Sequence, residues 1–304
     1  MRIYGSGMAG LLCASMLRRH KPEIHEAQQS LPNNHAALLR FRTDACSKVT
    51  GIPFKRVEVQ KAISYGGQIL ASGSVALNNM YSQKVTGRVS DRSIINLKSG
   101  ERFIAPPDFI SQMAATADIK YNSGLSKEEL LARTPDSDPV ISTIPVPAMM
   151  GMADWEERVD FQWRTVWAVT ANISDCDVYQ TVYYPDQRLK YYRASLTGNV
   201  LTLEYSQKPD FLEADCADVM AGLGVSCTIT ETKIKEQKYG KLTPLADPGA
   251  CRKFVLYLTD RYRIYSLGRF ATWRQLLLDS VVNDVQVIER LIEYRDGYQR
   301  ALLK

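Results

Sequence analysis

Several features that define other protein classes are missing from this 304-residue sequence. No apolar run is long enough to span a bilayer, so no membrane segment is predicted. The six cysteines are scattered and form no C-x-x-C pair, which favours reduced thiols over a zinc site or a redox disulfide. The three histidines lack metal-ligand spacing, so no metal site is predicted.

The chain also carries little net charge. A formal net charge of +5 tolerates an anionic substrate but does not by itself indicate nucleic acid. The length suits one large domain or two closely connected ones. Because the short apolar start runs directly into a glycine-rich segment, we expect no signal peptide and a cytoplasmic protein.

The most informative stretch is at the N-terminus. Residues 1–4 could form a strand, a G-x-G-x-x-G segment follows, and residues 11–17 have the apolar spacing of a helix. This order predicts a dinucleotide-binding unit, in which the glycines allow a tight turn and let a pyrophosphate approach the backbone. An ordinary glycine-rich turn is the alternative. The predicted phosphate-binding residues are Gly5, Ser6, Gly7, Met8, Ala9 and Gly10.

Three further polar residues extend this prediction. Glu26 ends a predicted second strand and is placed to bind a ribose hydroxyl pair. Arg40 and Arg42 lie just beyond that strand in the chain. They could pass near the pyrophosphate or a flavin ring, or they could be solvated surface cations.

The hydrophobic pattern of the sequence becomes strand-like in two segments. Short alternating runs separated by glycines predict antiparallel strands and turns over residues 55–105 and again over 151–245. We therefore predict an α/β protein with a Rossmann-like nucleotide domain and an inserted antiparallel β-rich substrate domain. The nucleotide domain would comprise residues 1–54, 106–150 and 246–304, and the substrate domain residues 55–105 and 151–245.

Three stretches resemble a known group of proteins. Residues 267–274, Leu-Gly-Arg-Phe-Ala-Thr-Trp-Arg, followed by Leu278-Asp279-Ser280, resemble the C-terminal flavin-binding motif of UDP-galactopyranose mutases and related amine-oxidase-type flavoproteins. Residues 191–193, Tyr-Tyr-Arg, are similar to a tyrosine-arginine strand of the mutases. Residues 140–145 resemble the strand and turn that precede the substrate domain in the amine-oxidase group.

The resemblance implies a Rossmann-like FAD-binding domain of the glutathione reductase type, and FAD as the cofactor. Gly268 and Arg269 match the motif, whose arginine approaches the cofactor phosphates or the ribityl chain. Asp279 matches an acid near the start of a helix whose N–H groups can face the flavin. No catalytic side chain is predicted, because the flavin itself would carry the chemistry.

Tyr192, Arg193 and Trp273 are the predicted substrate-binding residues. Strand alternation places Tyr192 and Arg193 on opposite faces, so that only one of them would face the flavin. The resemblance to the mutases favours Arg193 beside an anionic substrate group, whereas Glu204 on the neighbouring strand is the alternative partner. Trp273 lines the cavity or packs in the core.

Three functions stay open. The first is an FAD-dependent oxidoreductase acting on a small polar substrate by amine-oxidase-like C–N oxidation. The second is a redox-neutral mutase or lyase acting on a nucleotide sugar or a modified DNA base, and the third is a non-catalytic FAD-binding subunit. Compact flavoproteins of this kind also occur in phages that modify their DNA bases, so nucleic acid is a possible partner beside a small-molecule or nucleotide-type substrate.

Overall fold

A computed structural model describes residues 1–32, 39–89 and 94–302, with side chains through residue 296. The strands in the first half are β1 Arg2–Tyr4, β2 Glu23–His25, β3 Arg40–Phe41, β4 Lys55–Tyr65, β5 Gln68–Leu70, β6 Gly100–Ile104 and β7 Asp118–Lys120. Those in the second half are β8 Val140–Ser142, β9 Trp163–Ile173, β10 Val178–Tyr183, β11 Tyr191–Gly198, β12 Val200–Tyr205, β13 Ile229–Leu242 and β14 Ile264–Ser266.

Helices connect and cover these strands. They are α1 Met8–Met16, α2 Ala45–Thr50, α3 Val75–Thr86, α4 Phe109–Ala115, α5 Lys127–Leu131, α6 Val146–Met152, α7 Leu212–Gly222, α8 Pro248–Tyr262 and α9 Leu278–Leu302, with a 3-10 turn at Arg18–His20. No helix in the described part of the chain is long and apolar enough to cross a membrane.

A parallel sheet of order β14-β8-β1-β2-β7 forms the nucleotide-domain core. Its central strand β1 alternates between two hydrophobic clusters. Ile3 lies in the cluster with α1, α2, α4 and α9, and Tyr4 lies in the cluster with α6 and α8. Because both faces are covered by helices, the sheet has the buried character that parallel strands require. The predicted Rossmann-like architecture is confirmed.

A larger sheet has the order β13-β9-β12-β11-β10-β4-β6-β3, with β5 paired to β4. Its pairs are antiparallel except β4 with β10, which is parallel, so the inserted sheet is mixed rather than purely antiparallel. One face packs on α7 through residues such as Leu196, Leu203 and Val219. The opposite face carries many polar side chains.

The strands divide between the two sheets along the predicted segments. Each strand of the parallel sheet falls within residues 1–54, 106–150 or 246–304. The strands of the larger sheet fall within 55–105 or 151–245, except β3, which comes from the first segment.

The prediction of strands throughout residues 55–105 is wrong for α3. The Ser74 hydroxyl accepts a hydrogen bond from the Leu77 N–H at 3.2 Å, and the helix ends at Gly87 with a φ of +77°. Leu77, Tyr81 and Val85 recur every fourth residue and face a hydrophobic cluster. The helix therefore depends on its cap and on tertiary packing, which the polar residues between these positions obscure in the sequence.

Lys84 links α3 by hydrogen bonds to the segment that follows β10 of the larger sheet. Its buried Nζ donates to the carbonyl oxygens of Tyr184, at 3.0 Å, and Asp186, at 2.6 Å. Burial lowers the pKa of Lys84 from 10.5 to about 7. In the interval between these two values the unfolded chain binds a proton that the folded chain releases, so this group makes the free energy of unfolding increase with pH.

We predict that Lys84→Met reduces the increase of the free energy of unfolding with pH. Urea unfolding at pH values from about 7 to about 10 should show a smaller increase in the free energy of unfolding for the variant than for the wild type. Lys98→Met removes an exposed lysine and serves as the control. Equal pH dependence in Lys84→Met and the wild type would contradict the argument.

Candidate functional site

Three loops meet at the carboxyl edge of the parallel sheet. They follow β1, β8 and β14, which are adjacent strands. Thr143 donates to the Tyr4 carbonyl oxygen through its N–H, at 2.9 Å, and its hydroxyl, at 3.0 Å. The Leu267 N–H donates to the Ser142 carbonyl at 2.8 Å. These bonds hold the loops side by side at the edge where ligands of open α/β sheets bind.

The glycine-rich loop has one packed side and one open side. Gly5 has a φ of +100°, and a Cβ placed on Gly10 would lie 2.0 Å from the Gly5 carbonyl oxygen. A Cβ on Gly7 would meet nothing within 4 Å. Met8 and Ala9 then open α1, whose first-turn N–H groups have no carbonyl partner within the helix. The open side therefore offers room and donors for an anionic group.

Glu26 lies against this loop. Its buried carboxylate accepts from the Ser6 N–H at 2.8 Å and from the Ser6 hydroxyl at 2.7 Å. The second oxygen accepts from the Gln28 N–H at 3.0 Å. A carboxylate has about four acceptor positions, so Glu26 can hold the loop and still accept from a ligand hydroxyl.

The loop after β14 packs onto the start of α1. Gly268 has a φ of +90°, and a Cβ there would lie 3.0 Å from the Ala9 Cβ. Arg269 donates from Nη2 to the Gly240 carbonyl of β13 at 3.2 Å, which joins the two sheets. Its buried Nε has no hydrogen-bond partner among the described residues, and burial lowers the pKa of Arg269. A buried, unpaired guanidinium N–H is costly and indicates a missing acceptor.

Asp279 and Trp273 organise neighbouring segments. Asp279, in the first turn of α9, accepts from the Arg42 N–H at 2.8 Å, while the Arg42 side chain is exposed. The buried Trp273 donates from Nε1 to the Thr243 carbonyl at 3.3 Å, and its ring centroid lies 4.8 Å from that of Phe161. In the structure Asp279 therefore holds the segment before α2, and Trp273 packs in the core of its loop.

The polar face of the larger sheet is the face opposite α7. Strand register aligns Lys61, Thr181, Ser195, Thr202 and Thr170 in one row and Tyr183, Arg193 and Glu204 in the next. The four hydroxyl-bearing residues of the first row are buried. Arg269 connects the loop after β14 to β13 of this sheet, and the candidate site comprises the three loops and this polar face.

Arg40 lies over the first row of this polar face. Nη1 donates to the Thr181 hydroxyl at 3.1 Å, and Nη2 donates to the Ser195 hydroxyl at 2.7 Å. Burial, reinforced by the nearby Arg193, lowers the pKa of Arg40 to about 10. Arg40 is thus held by the larger sheet rather than standing free on the surface.

The expectation that Tyr192 and Arg193 point to opposite faces is wrong. An irregularity in the pairing of β11 with β12 falls between Tyr191 and Arg193. Both side chains consequently reach Glu204: the Tyr192 hydroxyl at 3.3 Å, and Arg193 through an ion pair. A β-bulge inserts an extra residue and so breaks the alternation that the sequence implies.

Glu204 is the carboxylate of this cluster. Burial alone would raise its pKa, but Arg193 and Lys241 outweigh burial and lower the pKa of Glu204 to about 2. Lys241 Nζ lies 4.0 Å from a Glu204 oxygen. Glu204, the alternative partner predicted for Arg193, is therefore its partner in the structure, and the Arg193 side chain is 30% exposed.

Tyrosines lie on both faces of β10 and β11. Tyr183 and Tyr192 contact Tyr81 of α3, with ring centroids 5.4 and 6.3 Å apart. Tyr184 and Tyr191 belong to the cluster under α7. One member of each adjacent pair therefore lies on the same side as Arg193, but Tyr192 is fully buried there against α3.

A separate polar cluster lies on the outer side of α9. His20 Nε2 is 3.1 Å from a Glu289 oxygen, and Glu293 lies one turn further along the helix. Arg19 pairs with both glutamates. No sequence pattern indicates this cluster, because His20 and Glu289 are 269 residues apart. Arg19 thus brings one positive charge to the two carboxylates.

Comparisons of sequence find no relatives: no protein-family model matches the chain, and no curated protein sequence does. Comparison of structures does find similar proteins. Reduced UDP-galactopyranose mutase aligns with a TM-score of 0.72 at 13% identity, covering 96% of this chain and 95% of that chain. A putative protoporphyrinogen oxidase from Exiguobacterium sp. 255-15 aligns at 0.62 and 11%, covering 96% and 98%.

A p-nitrophenol 4-monooxygenase from Pseudomonas putida aligns with a TM-score of 0.52 at 13% identity, covering 96% of this chain and 78% of that chain. At such identities the similarity shows the fold alone. The fold that the sequence motifs predicted, that of the UDP-galactopyranose mutases and related flavoproteins, is therefore confirmed.

Proposed function

We propose that this chain is an FAD-dependent enzyme whose cofactor lies between the three loops and the polar face of the larger sheet. The observation that carries the proposal is the buried Arg269 Nε, which lacks an acceptor among the described residues. It belongs to the loop whose Gly268 packs on Ala9 at the start of α1, the helix that Gly7 precedes. An anion bound there would supply the missing acceptor.

The remaining residues fit the same cofactor. Gly7 and the first turn of α1 would receive the pyrophosphate, and Glu26 would accept from ribose hydroxyls. Arg269 would neutralise phosphate charge. When bound, FAD supplies the electron acceptor or donor for the reaction. The chain's own part is to bind and orient the substrate on the polar face of the larger sheet.

The reaction we favour is oxidation of a small polar substrate. Two of the similar structures, the putative protoporphyrinogen oxidase and the p-nitrophenol monooxygenase, carry oxidoreductase names. Arg40, Arg193 and Lys241 make the polar face positive, and Glu204 is already engaged by two of them. This charge disfavours a substrate whose sole charge is a protonated amine, so C–N oxidation would require a substrate that also carries an anion.

A redox-neutral mutase or lyase is the second candidate. Its support is the similarity to reduced UDP-galactopyranose mutase, which extends over nearly the full length of both chains. Arg193, in the stretch that resembles a mutase strand, lies on the polar face with a side chain 30% exposed, whereas the neighbouring Tyr192 is fully buried. A nucleotide sugar or a modified base is the substrate class for this alternative.

Anaerobic mixing separates the two reaction classes. We predict that a substrate of the oxidase class bleaches the flavin absorbance of the oxidised protein when oxygen is excluded. Product formation that occurs only after the flavin has been reduced with dithionite would contradict this prediction and support the mutase.

The two glycines of the loop give a matched pair of variants. Gly7→Val should keep the melting temperature of the cofactor-free protein, because a side chain at Gly7 meets open space, but it should abolish FAD retention. Gly10→Ala should cost roughly 1–3 kcal/mol of stability through overpacking. Calorimetry and FAD titration measure both effects. Normal FAD binding by a folded Gly7→Val protein would place the pyrophosphate elsewhere.

Removing the Glu26 carboxylate should weaken FAD binding. Glu26→Ala deletes a charge-assisted acceptor, so we expect a loss of about 1.5–3 kcal/mol in FAD binding free energy. Ser6→Ala removes one hydroxyl that Glu26 binds and controls for loosening of the loop. The prediction fails if the FAD dissociation constant of Glu26→Ala equals that of Ser6→Ala.

A further inference from the structure

Four cations of the polar-face region form no ion pair with a described carboxylate. Among residues 1–32, 39–89 and 94–296, no ion pair involves Arg40, Arg42, Lys61 or Arg102, although ion pairs are frequent elsewhere on the surface. The sequence prediction placed Arg40 and Arg42 near the cofactor and gave Lys61 and Arg102 no role. Three of them also share a face of the sheet.

Strand register shows why these three side chains converge. Lys61 and Val57 lie on the same face of β4, and Arg102 of β6 pairs with Val57. A Cβ on Gly100 would lie 3.3 Å from Arg102 Nη1 and 3.8 Å from Lys61 Nζ, so the two charged ends come close together. Arg40 starts on β3 beside Ile104 and reaches the same row.

Holding these cations close together costs free energy unless an anion binds between them. Burial lowers the pKa of Lys61, and the charges of Arg102, Arg42 and Arg40 lower it further. The Thr181 and Ser195 hydroxyls lie 3.5 Å apart and hold the Arg40 guanidinium in place. Mutually repelling, partly desolvated cations fixed by buried hydroxyls are typical of a preformed anion site.

We propose that Arg40, Lys61 and Arg102 form a binding site for a phosphate group of the substrate. The proposal rests on the proposed function, because it places this site on the face that would lie over the flavin. A dianionic phosphate matches three converging cations better than a single carboxylate does. The substrate class is therefore a phosphorylated small molecule, and the site is distinct from the ion pair of Arg193 with Glu204.

The phosphates of FAD are the other possible source of the anion. They are already accounted for by Gly7, the start of α1 and Arg269. If Arg40, Lys61 and Arg102 served FAD instead, their removal would lower FAD affinity, and added phosphate would compete with FAD. These two readouts separate the sources.

The test uses the FAD-loaded full chain and inorganic phosphate as the probe. Calorimetric titration at constant ionic strength compares the wild type with Lys61→Gln, Arg102→Gln and Arg40→Gln. Arg56→Gln is the control, because Arg56 lies on the opposite face of β4, is ion-paired with Glu101 and has a side chain 74% exposed. FAD content and affinity are measured for each protein.

We expect each of the three polar-face variants to weaken phosphate binding about tenfold or more, with FAD affinity unchanged and Arg56→Gln like the wild type. Absence of phosphate binding by the wild type, an equal loss in Arg56→Gln, or equally tight binding of acetate would overturn the site. Loss of FAD affinity in Lys61→Gln would reassign these cations to the cofactor and also overturn it.

Misfolding of one variant and failure of FAD uptake can each be distinguished from failure of the phosphate site. If Arg40→Gln fails to fold, because its bonds to Thr181 and Ser195 are lost, Lys61→Gln and Arg102→Gln still decide the question. If the wild type takes up no FAD, the proposed function fails, whereas phosphate titration of that same protein still shows whether the three cations bind the anion.

Discussion

The close contacts among the loops at the carboxyl edge of the parallel sheet are the constraint on which the rest depends. A side chain at Gly10 would collide with the Gly5 carbonyl, and one at Gly268 would press on Ala9. Because these residues have no side chain, the first and last segments of the chain meet beside α1. That meeting brings Arg269 next to β13, and so joins the nucleotide domain to the larger sheet.

The region where the three loops meet the larger sheet carries an excess of positive charge. Glu204 pairs with Arg193 and lies 4.0 Å from Lys241. Arg40, Lys61, Arg102 and Arg269 form no ion pair with a described carboxylate, and Arg269 Nε has no described acceptor. Partly buried cations that lack a carboxylate partner are typical of ligand-binding sites. Two separate anions, one in the cofactor and one in the substrate, would account for the two sets of residues.

The sequence revealed those parts of the fold and site that are local. The strand, glycine loop and helix are contiguous in the first residues, and the loop after β14 is a single motif. It could not reveal α3 and α8, whose helical character depends on caps and packing, or the bulge that turns Tyr192 toward Glu204. Nor could it reveal that Arg40 binds hydroxyls 141 and 155 residues away, because only the folded sheet creates that contact.

The central claim is that the space between the three loops and the polar face holds FAD. The most direct measurement is the visible absorbance spectrum of the purified protein, followed by chromatographic identification of the cofactor released on denaturation. The account predicts a flavin spectrum and the release of FAD, with one FAD per chain after reconstitution. A colourless protein that cannot be reconstituted with FAD, yet binds NADH tightly, would contradict it.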